Sequence, residues 1–440
     1  MGTPEFDRMS PIQRRGSRIR SCERSCLLLA AIGCGGMFAG DTGGGGPRDS
    51  LAGEGAAQAF KRSIEAEEYN IRYGPVRLKT GASVALSYTD NVSYSHTPKE
   101  DYLVNPEVTL AALWQITELN ALRLSLGLAY EWYLKNHELN SDAPLVNPGS
   151  ELAFNLFVDD FHIQLHERFS YQESLFFNSF SGEGGHFYNF NDVGTFSRLN
   201  NEAGFDVDWD LNKVVLSVGY NHENFISTTS DFDYLNRASE WFSGTARFSL
   251  GDKAQTGLEA QASLHDYRSE TTLNDNWRMR VGPFVEVTWI EKVRLRAGGG
   301  FDMARYDATA AGNNDYESYY AYARIRHDTR HFSHSLAAGR EHLLGDNANN
   351  LRTTYARYSV SSPVLAHLDL GANLSINFAE EFGGTFGEKF TYYGAGVRVG
   401  SQFHKYWRAD LAYEYRLKDS DLALRDFHRN RVTVGVTYSF

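Results

Sequence analysis

The 440-residue chain predicts an all-β fold, a transmembrane antiparallel up-and-down β-barrel of about 18 strands. Three observations predict it. Apolar and polar residues alternate over ten or more positions, repeatedly, from Val76 to the C-terminus. The connections between these runs alternate between tight turns and long segments. Aromatic residues gather at the ends of the runs while Leu, Val and Ala fill the middles. Aromatics at 14% and only 10 Pro suit this reading, because aromatic side chains favour strands and Pro breaks their ladders.

The chain opens with Arg14, Arg15, Arg18, Arg20 and Arg24, followed by the apolar run CLLLAAIG (26–33) and then small residues. Positive charge, a short apolar stretch and small side chains make up a secretory signal peptide, assigned to residues 1–39 with cleavage between about Cys34 and Ala59. The run is too short for a spanning helix of about 20 residues. Cys22, Cys26 and Cys34 all fall in this leader, so the mature chain would hold no disulfide. Ala31-Ile32-Gly33-Cys34 loosely matches a lipoprotein cleavage site, the less favoured alternative because Ala31 stands where a larger aliphatic is usual. Residues 40–72 are Gly-rich and then charged, and read as a flexible linker ahead of a barrel at 73–440.

LRLSLGLAYEWYL (122–134) is the clearest run: Leu122, Leu124, Leu126, Leu128, Tyr130, Trp132 and Leu134 share one face, Arg123, Ser125, Gly127, Ala129, Glu131 and Tyr133 the other. Period two means strand. Comparable runs lie near 76–89, 102–116, 121–134, 151–158, 161–171, 202–211, 214–223, 239–250, 254–265, 276–289, 293–304, 318–327, 332–341, 351–360, 365–378, 389–401, 406–416 and 429–440. The weakest are 332–341, where His334 falls on the apolar face, and 351–360. TELN (117–120), DD (159–160), NK (212–213), GDK (251–253), IEK (290–292), DTRH (328–331), SSPV (361–364) and QFHK (402–405) are the tight turns, and the other connections run from about nine to about 27 residues.

Strand length separates a membrane barrel from a soluble sandwich. Most runs have ten to fourteen residues. Soluble strands have about five or six, and a tilted bilayer crossing needs about nine to eleven. Lipid supplies no hydrogen-bond partners, so a spanning sheet must close on itself. Short turns on one rim, long loops on the other and an even strand count place the turns in the periplasm and the loops outside the cell. Outward aromatics form a belt at each rim: Trp114, Phe161, Trp209, Trp289, Trp407, Tyr438 and Phe440 near the turns; Tyr88, Tyr130, Trp132, Tyr220, Trp277, Tyr319, Phe378, Tyr413 and Tyr415 near the loops.

The C-terminal run RVTVGVTYSF (431–440) must pair with the first strand, and its alternation with a terminal Phe440 resembles the C-terminal signature of bacterial outer-membrane proteins. That resemblance implies that Tyr438 and Phe440 form the signal read by the outer-membrane assembly machinery. The segment 78–110, with Tyr88, Asp90, Asn91, Asp101, Tyr102 and Pro106, resembles the first hairpin of the β-barrel porin 2 family. Through it the chain is expected in the outer membrane, in contact with outer-membrane lipid and lipopolysaccharide, as a monomer or a homo-oligomer.

The inward face is polar and charged. Arg278, Arg280, Arg294, Arg296, Arg324 and Arg326 fall on three consecutive strands, with no carboxylate alternating beside them, and read as a basic stripe. Asp206, Asp208 and Asp210 form an acidic one, and Glu259, Arg398 and Arg408 join the expected pore lining. Opposed stripes would set up a transverse field in a lumen; static ion-pair networks are the plainer alternative. The longest loop, 172–197, carries Phe176, Phe177, Phe180, Phe187, Tyr188, Phe190 and Phe196, too many rings to leave in water, and is the candidate constriction loop if it folds inward rather than onto neighbouring loops.

Catalytic readings find no support: His162, His166, His265 and His367 are scattered without metal-ligand spacing, and no cofactor motif occurs. The net charge of −12 argues against nucleic-acid binding. The expected function is a channel for passive or weakly selective diffusion of small hydrophilic solutes. An exporter of an acidic polysaccharide through an arginine-lined barrel is the alternative, ahead of a surface anchor.

Overall fold

The computed structural model describes residues 61, 62, 64, 69–173, 188–190, 192–269, 272–290, 292–307, 314–384 and 386–439. The leader, most of the 40–72 segment, Phe176, Phe177, Phe180, Phe187 and Phe440 lie outside the described residues.

Eighteen strands form one antiparallel ring: β1 Val76–Thr89, β2 Asp101–Gln115, β3 Ala121–Ala129, β4 Glu151–Val158, β5 Phe161–Gln172, β6 Arg198–Asp210, β7 Val214–Ser227, β8 Arg237–Ser249 and β9 Ala254–Tyr267 make the first half. The second half is β10 Asn276–Ile290, β11 Val293–Tyr306, β12 Tyr316–Asp328, β13 Ser333–Leu344, β14 Asn350–Leu365, β15 Leu368–Phe382, β16 Glu388–His404, β17 Trp407–Ser420 and β18 Phe427–Ser439. Each strand pairs with its sequence neighbours, and β18 returns to β1 from Gly81↔Ser439 to Thr89↔Arg431, which closes the barrel.

Closure satisfies the backbone, and the pleat then sorts the side chains. Val84, Val108, Val218, Leu258, Leu374 and Val434 are each more than half exposed on the outer face, an arrangement that only a lipid surround makes favourable. Phe161 stacks on Trp209 at 5.5 Å and Trp407 meets Tyr438 at 4.8 Å on the turn rim. Phe205, Tyr220 and Phe242 form a chain of rings towards the loop rim. The chain is an outer-membrane-type β-barrel.

Tight turns behave as their residues require: Asp159 (φ 49°) and Asn212 (φ 71°) take left-handed conformations that Asp and Asn tolerate, and Gly251 (φ 109°) takes one open only to glycine.

The structure differs from the sequence reading in five places, one of them the turn expected at 402–405: β16 runs through a bulge to His404, and the turn falls at 405–406. The ladder of the third strand breaks after Ala129 and resumes only at Trp132–Tyr133 opposite Leu103 and Val104, because Pro106 on β2 has no N–H to give. The wall above the short β4 is completed by Leu145–Val146, which pair with β3 and with Tyr171 of β5. β14 runs through Pro363 to Leu365 by way of a bulge, so the turn falls at 366–367 rather than 361–364. Several strands extend past their predicted outer ends, and the connections 345–349, 383–387 and 421–426 are correspondingly tight.

Residues just ahead of the barrel are seated on it. Ile71–Tyr73 pair with β1 on the edge left bare below the end of β18. Ile64 is fully buried against Leu113 and Ala121 on the inner face, with Arg77 donating to its carbonyl at 2.7 Å.

Candidate functional site in the lumen and mouth

The six arginines of β10–β12 occupy the inner face, as their alternation predicts, but they are not a bare stripe. The register sets Asp302 directly opposite Arg280 and Glu286 opposite Arg296. Arg294 pairs with Asp328 at 3.0 Å and Arg326 with the same carboxylate at 3.0 Å, close to the periplasmic turn. Glu259 of β9 accepts from the hydroxyls of Tyr320 (3.0 Å) and Tyr322 (2.8 Å) and lies 3.6 Å from Arg296. Arg278 is buried near the mouth and donates to the Leu343 carbonyl (3.0 Å), Tyr316 hydroxyl (3.2 Å) and Asn350 side chain (3.3 Å). The expectation that no carboxylate alternates beside these arginines is thus corrected: Asp328 follows Arg326 at the same parity on β12, Glu286 and Asp302 lie on β10 and β11, and Glu259 reaches in from β9.

Inward aromatics were missed by the sequence reading. Phe284, Tyr320, Tyr322 and Tyr355 share parity with charged residues, and three of them lie over glycines of the neighbouring strand: Phe284 on Gly257, Tyr322 on Gly298 and Tyr355 on Gly339. A Cβ at any of these glycines would come within 3 Å of the ring, so only glycine lets the ring lie flat. Arg296 sits 5.0 Å over Phe284, Arg280 5.6 Å over Tyr320 and Arg357 4.2 Å over Tyr355, giving a wall of rings and guanidinium groups. Aromatics at inward parity opposite glycine are the signal that could have revealed it.

The acidic side, β4–β7, is also internally matched. His162 faces Asp208 at 3.6 Å, and Ser217 donates to Asp208 at 2.5 Å. His166 lies 3.6 Å from both Glu202 and Asp206, while Arg168 joins Glu151 (3.0 Å) and Glu202 (2.6 Å). Asp210 is a correction to the expected pore lining: it is buried and accepts the Asn212 N–H at 2.7 Å, holding the turn. Nearer the periplasm, Arg398 pairs with Asp410 at 2.7 Å, and Arg408 bridges Asp410 and Asp369 at 3.0 and 2.8 Å.

The mouth is where distant parts of the chain meet. Tyr188, Phe190 and Phe196 of the β5–β6 loop pack with Phe225, Phe232, Leu235, Tyr267, Leu351, Phe390, Tyr392 and Phe427 in one core. Burial pushes the Tyr188 phenol up to about 12. Those partners come from β7, β9, β14, β16 and β18, so the described part of this loop reaches across the barrel end. Asn189, fully buried, fixes it to the far wall. Its backbone N–H donates to Asp346 (2.7 Å), and its side-chain amide donates to Glu381 (2.8 Å) and Glu388 (2.7 Å). Lys418 donates to its side-chain oxygen (2.5 Å), and Asn347 and Arg425 to its carbonyl (2.7 Å each). Lys418 and Glu388 also pair with each other at 2.7 Å, both without solvent exposure. Asn189 carries no motif and went unremarked in the sequence.

Among the described residues no group of three or more His, Cys, Asp or Glu side chains could hold a metal ion, and no helix is long and apolar enough to cross a membrane.

No protein-family model matches the chain, and no curated protein does. Similar solved structures include the outer membrane protein OpdK from Pseudomonas aeruginosa, at 12% identity and a TM-score of 0.46, covering 82% of this chain and 99% of that one. OccK2 (OpdF) of the same organism, in complex with glucuronate, gives 11% and 0.48 over 83% and 98%. A BenF-like porin from Pseudomonas fluorescens Pf-5 gives 11% and 0.49 over 82% and 99%. At such identities and scores no residue role or solute carries across.

Proposed function

We propose that this chain is an outer-membrane channel for small polar solutes, narrowed at its mouth by the β5–β6 loop. The observation that carries the reading is the Asn189 clamp: six hydrogen bonds tie the loop to strands and loops on the far side of the ring. A segment held so firmly across a barrel of porin circumference supports a selective passage over free diffusion. The wall of β9–β14 supplies paired arginines, tyrosine hydroxyls and ring faces, groups suited to solutes that combine a carboxylate or hydroxyl with an apolar face. The polysaccharide exporter is less well supported, because Asp328, Glu259, Glu286 and Asp302 offset much of the basic charge it would need. Single-channel recording in planar bilayers tests the reading: discrete current steps of small conductance are expected, and a correctly folded barrel that stays electrically silent would overturn it.

A further inference from the structure

Outward-facing charge on a membrane barrel needs a partner, and one arc of the outer wall holds more cation than the protein itself matches. Arg340 on β13 shares the outer face with Leu336, and its guanidinium lies 4.5 Å over the ring of Tyr319, which is 55% exposed on β12. Among the described residues Arg340 makes no ion pair, and its buried Nε has no hydrogen-bond partner. One strand on, Arg352 pairs with Glu380 of β15, and Lys389 of β16 lies 3.7 Å from the same carboxylate with most of its own surface exposed. Arg352 and Lys389 therefore share one carboxylate, and Arg340 has none. Arg305 of β11 is already matched by Glu317 and by Asp315 at 3.8 Å.

Height along the wall identifies what the cations meet. Glu380 and its partner Arg352 stand one pleat beyond Phe378, an exposed outward ring near the loop rim, and Lys389 is directly opposite Glu380. Arg340, opposite Ala321 and Thr354, is level with Phe378, one pleat inside Arg352, and Tyr319 stands one pleat beyond Ala321. Pairing of β12 with β13 stops at Ala321↔Arg340, although β12 begins at Tyr316 and β13 continues to Leu344. Above that point Tyr316 and His342 stack at 4.7 Å and both bond Asp302 of β11. Strands that part in this way belong outside the hydrocarbon, where polar groups can satisfy backbone edges. The cations thus sit at the headgroup level of the outer leaflet, next to aromatic anchors.

We propose that Arg340, Arg352 and Lys389 form a binding site for the phosphate groups of an outer-leaflet glycolipid. Phosphate provides the anion that Arg340 lacks, and a guanidinium can take it by two parallel hydrogen bonds. The site rests on the outer-membrane barrel and is independent of whether the lumen conducts.

Native mass spectrometry of the detergent-purified barrel tests it, with a bisphosphorylated glycolipid and its dephosphorylated form as probes. Wild type should retain the phosphorylated lipid and not the other. Arg340→Gln breaks no ion pair and should weaken retention about fivefold, with a comparable factor for each further cation removed in R340Q/R352Q/K389Q. Heat-modifiable mobility on gels confirms that each variant is folded. Equal retention by folded R340Q and wild type, or equal retention of the dephosphorylated lipid, would overturn the site.

Discussion

Replacing Asn189 with alanine should release the loop that crosses the mouth. The substitution removes the side-chain bonds to Glu381, Glu388 and Lys418, at 2.8, 2.7 and 2.5 Å, all to charged groups in a buried cluster. Hydrogen bonds to charged groups are worth about 1.5–3 kcal/mol each. The full sum is an upper bound, since Lys418 and Glu388 keep each other at 2.7 Å and Arg425 stays 2.9 Å from Glu388. Allowing for that, the docked state loses about 4 kcal/mol, which shifts the docked-to-released ratio about a thousandfold. The three contacts of the Asn189 backbone and the aromatic core of Tyr188, Phe190 and Phe196 remain, so the barrel itself should fold. Single-channel recording then reads the outcome: N189A should show larger mean conductance and greater current noise than wild type, because a released loop samples the mouth. A folded N189A barrel with the conductance and noise of wild type would refute the reasoning that this clamp sets the constriction.

Three further outcomes are expected. Single cysteines at Asp160 and Asp252 should resist impermeant thiol reagents on intact cells, while those at Lys99, Asp231 and Asp421 should react; the reverse pattern would invert the topology. Deletion of Phe440, or Phe440→Asp, should lower the yield of heat-modifiable barrel more than Ser439→Asp; Tyr438→Asp should act in the same direction through loss of its packing on Trp407 at 4.8 Å. Changing Arg294, Arg296, Arg324 and Arg326 to Gln leaves Asp328, Glu259 and Glu286 without these partners and should move the reversal potential toward cations. The shift should be largest in dilute salt, where the Debye length exceeds about 10 Å; unchanged selectivity at 10 mM salt would remove these side chains from the conduction path.

The eighteen strands were legible because period two is a local property, repeated too often to arise by chance, and because lipid demands long strands. His334 shows how far the pattern reaches: its predicted place on the apolar face holds, and the ring bonds the Tyr358 hydroxyl at 2.7 Å on the outer wall. Strand ends were less legible, since the polar upper turns of β13–β17 alternate above the lipid, where no apolar residue marks them. The aromatic loop was legible as a segment needing burial, but its destination was not.

Alternation tells which side of a sheet a residue faces, and on the inner side of a barrel it leaves open whether water or protein lies there. Lys418, Glu381 and Glu388 are ordinary lumen polar residues by sequence, yet each is at most 2% exposed because the loop carrying Asn189 covers them. Asn189 and Lys418 stand 229 positions apart, and nothing local marks either. The same holds for ion pairs. Arg296 and Glu259 come from β11 and β9, with β10 between them, so only the register of three strands brings them to 3.6 Å. Net charge on a wall therefore follows from side-chain reach across strands, and a run of arginines read along single strands overstates the field that a solute would meet.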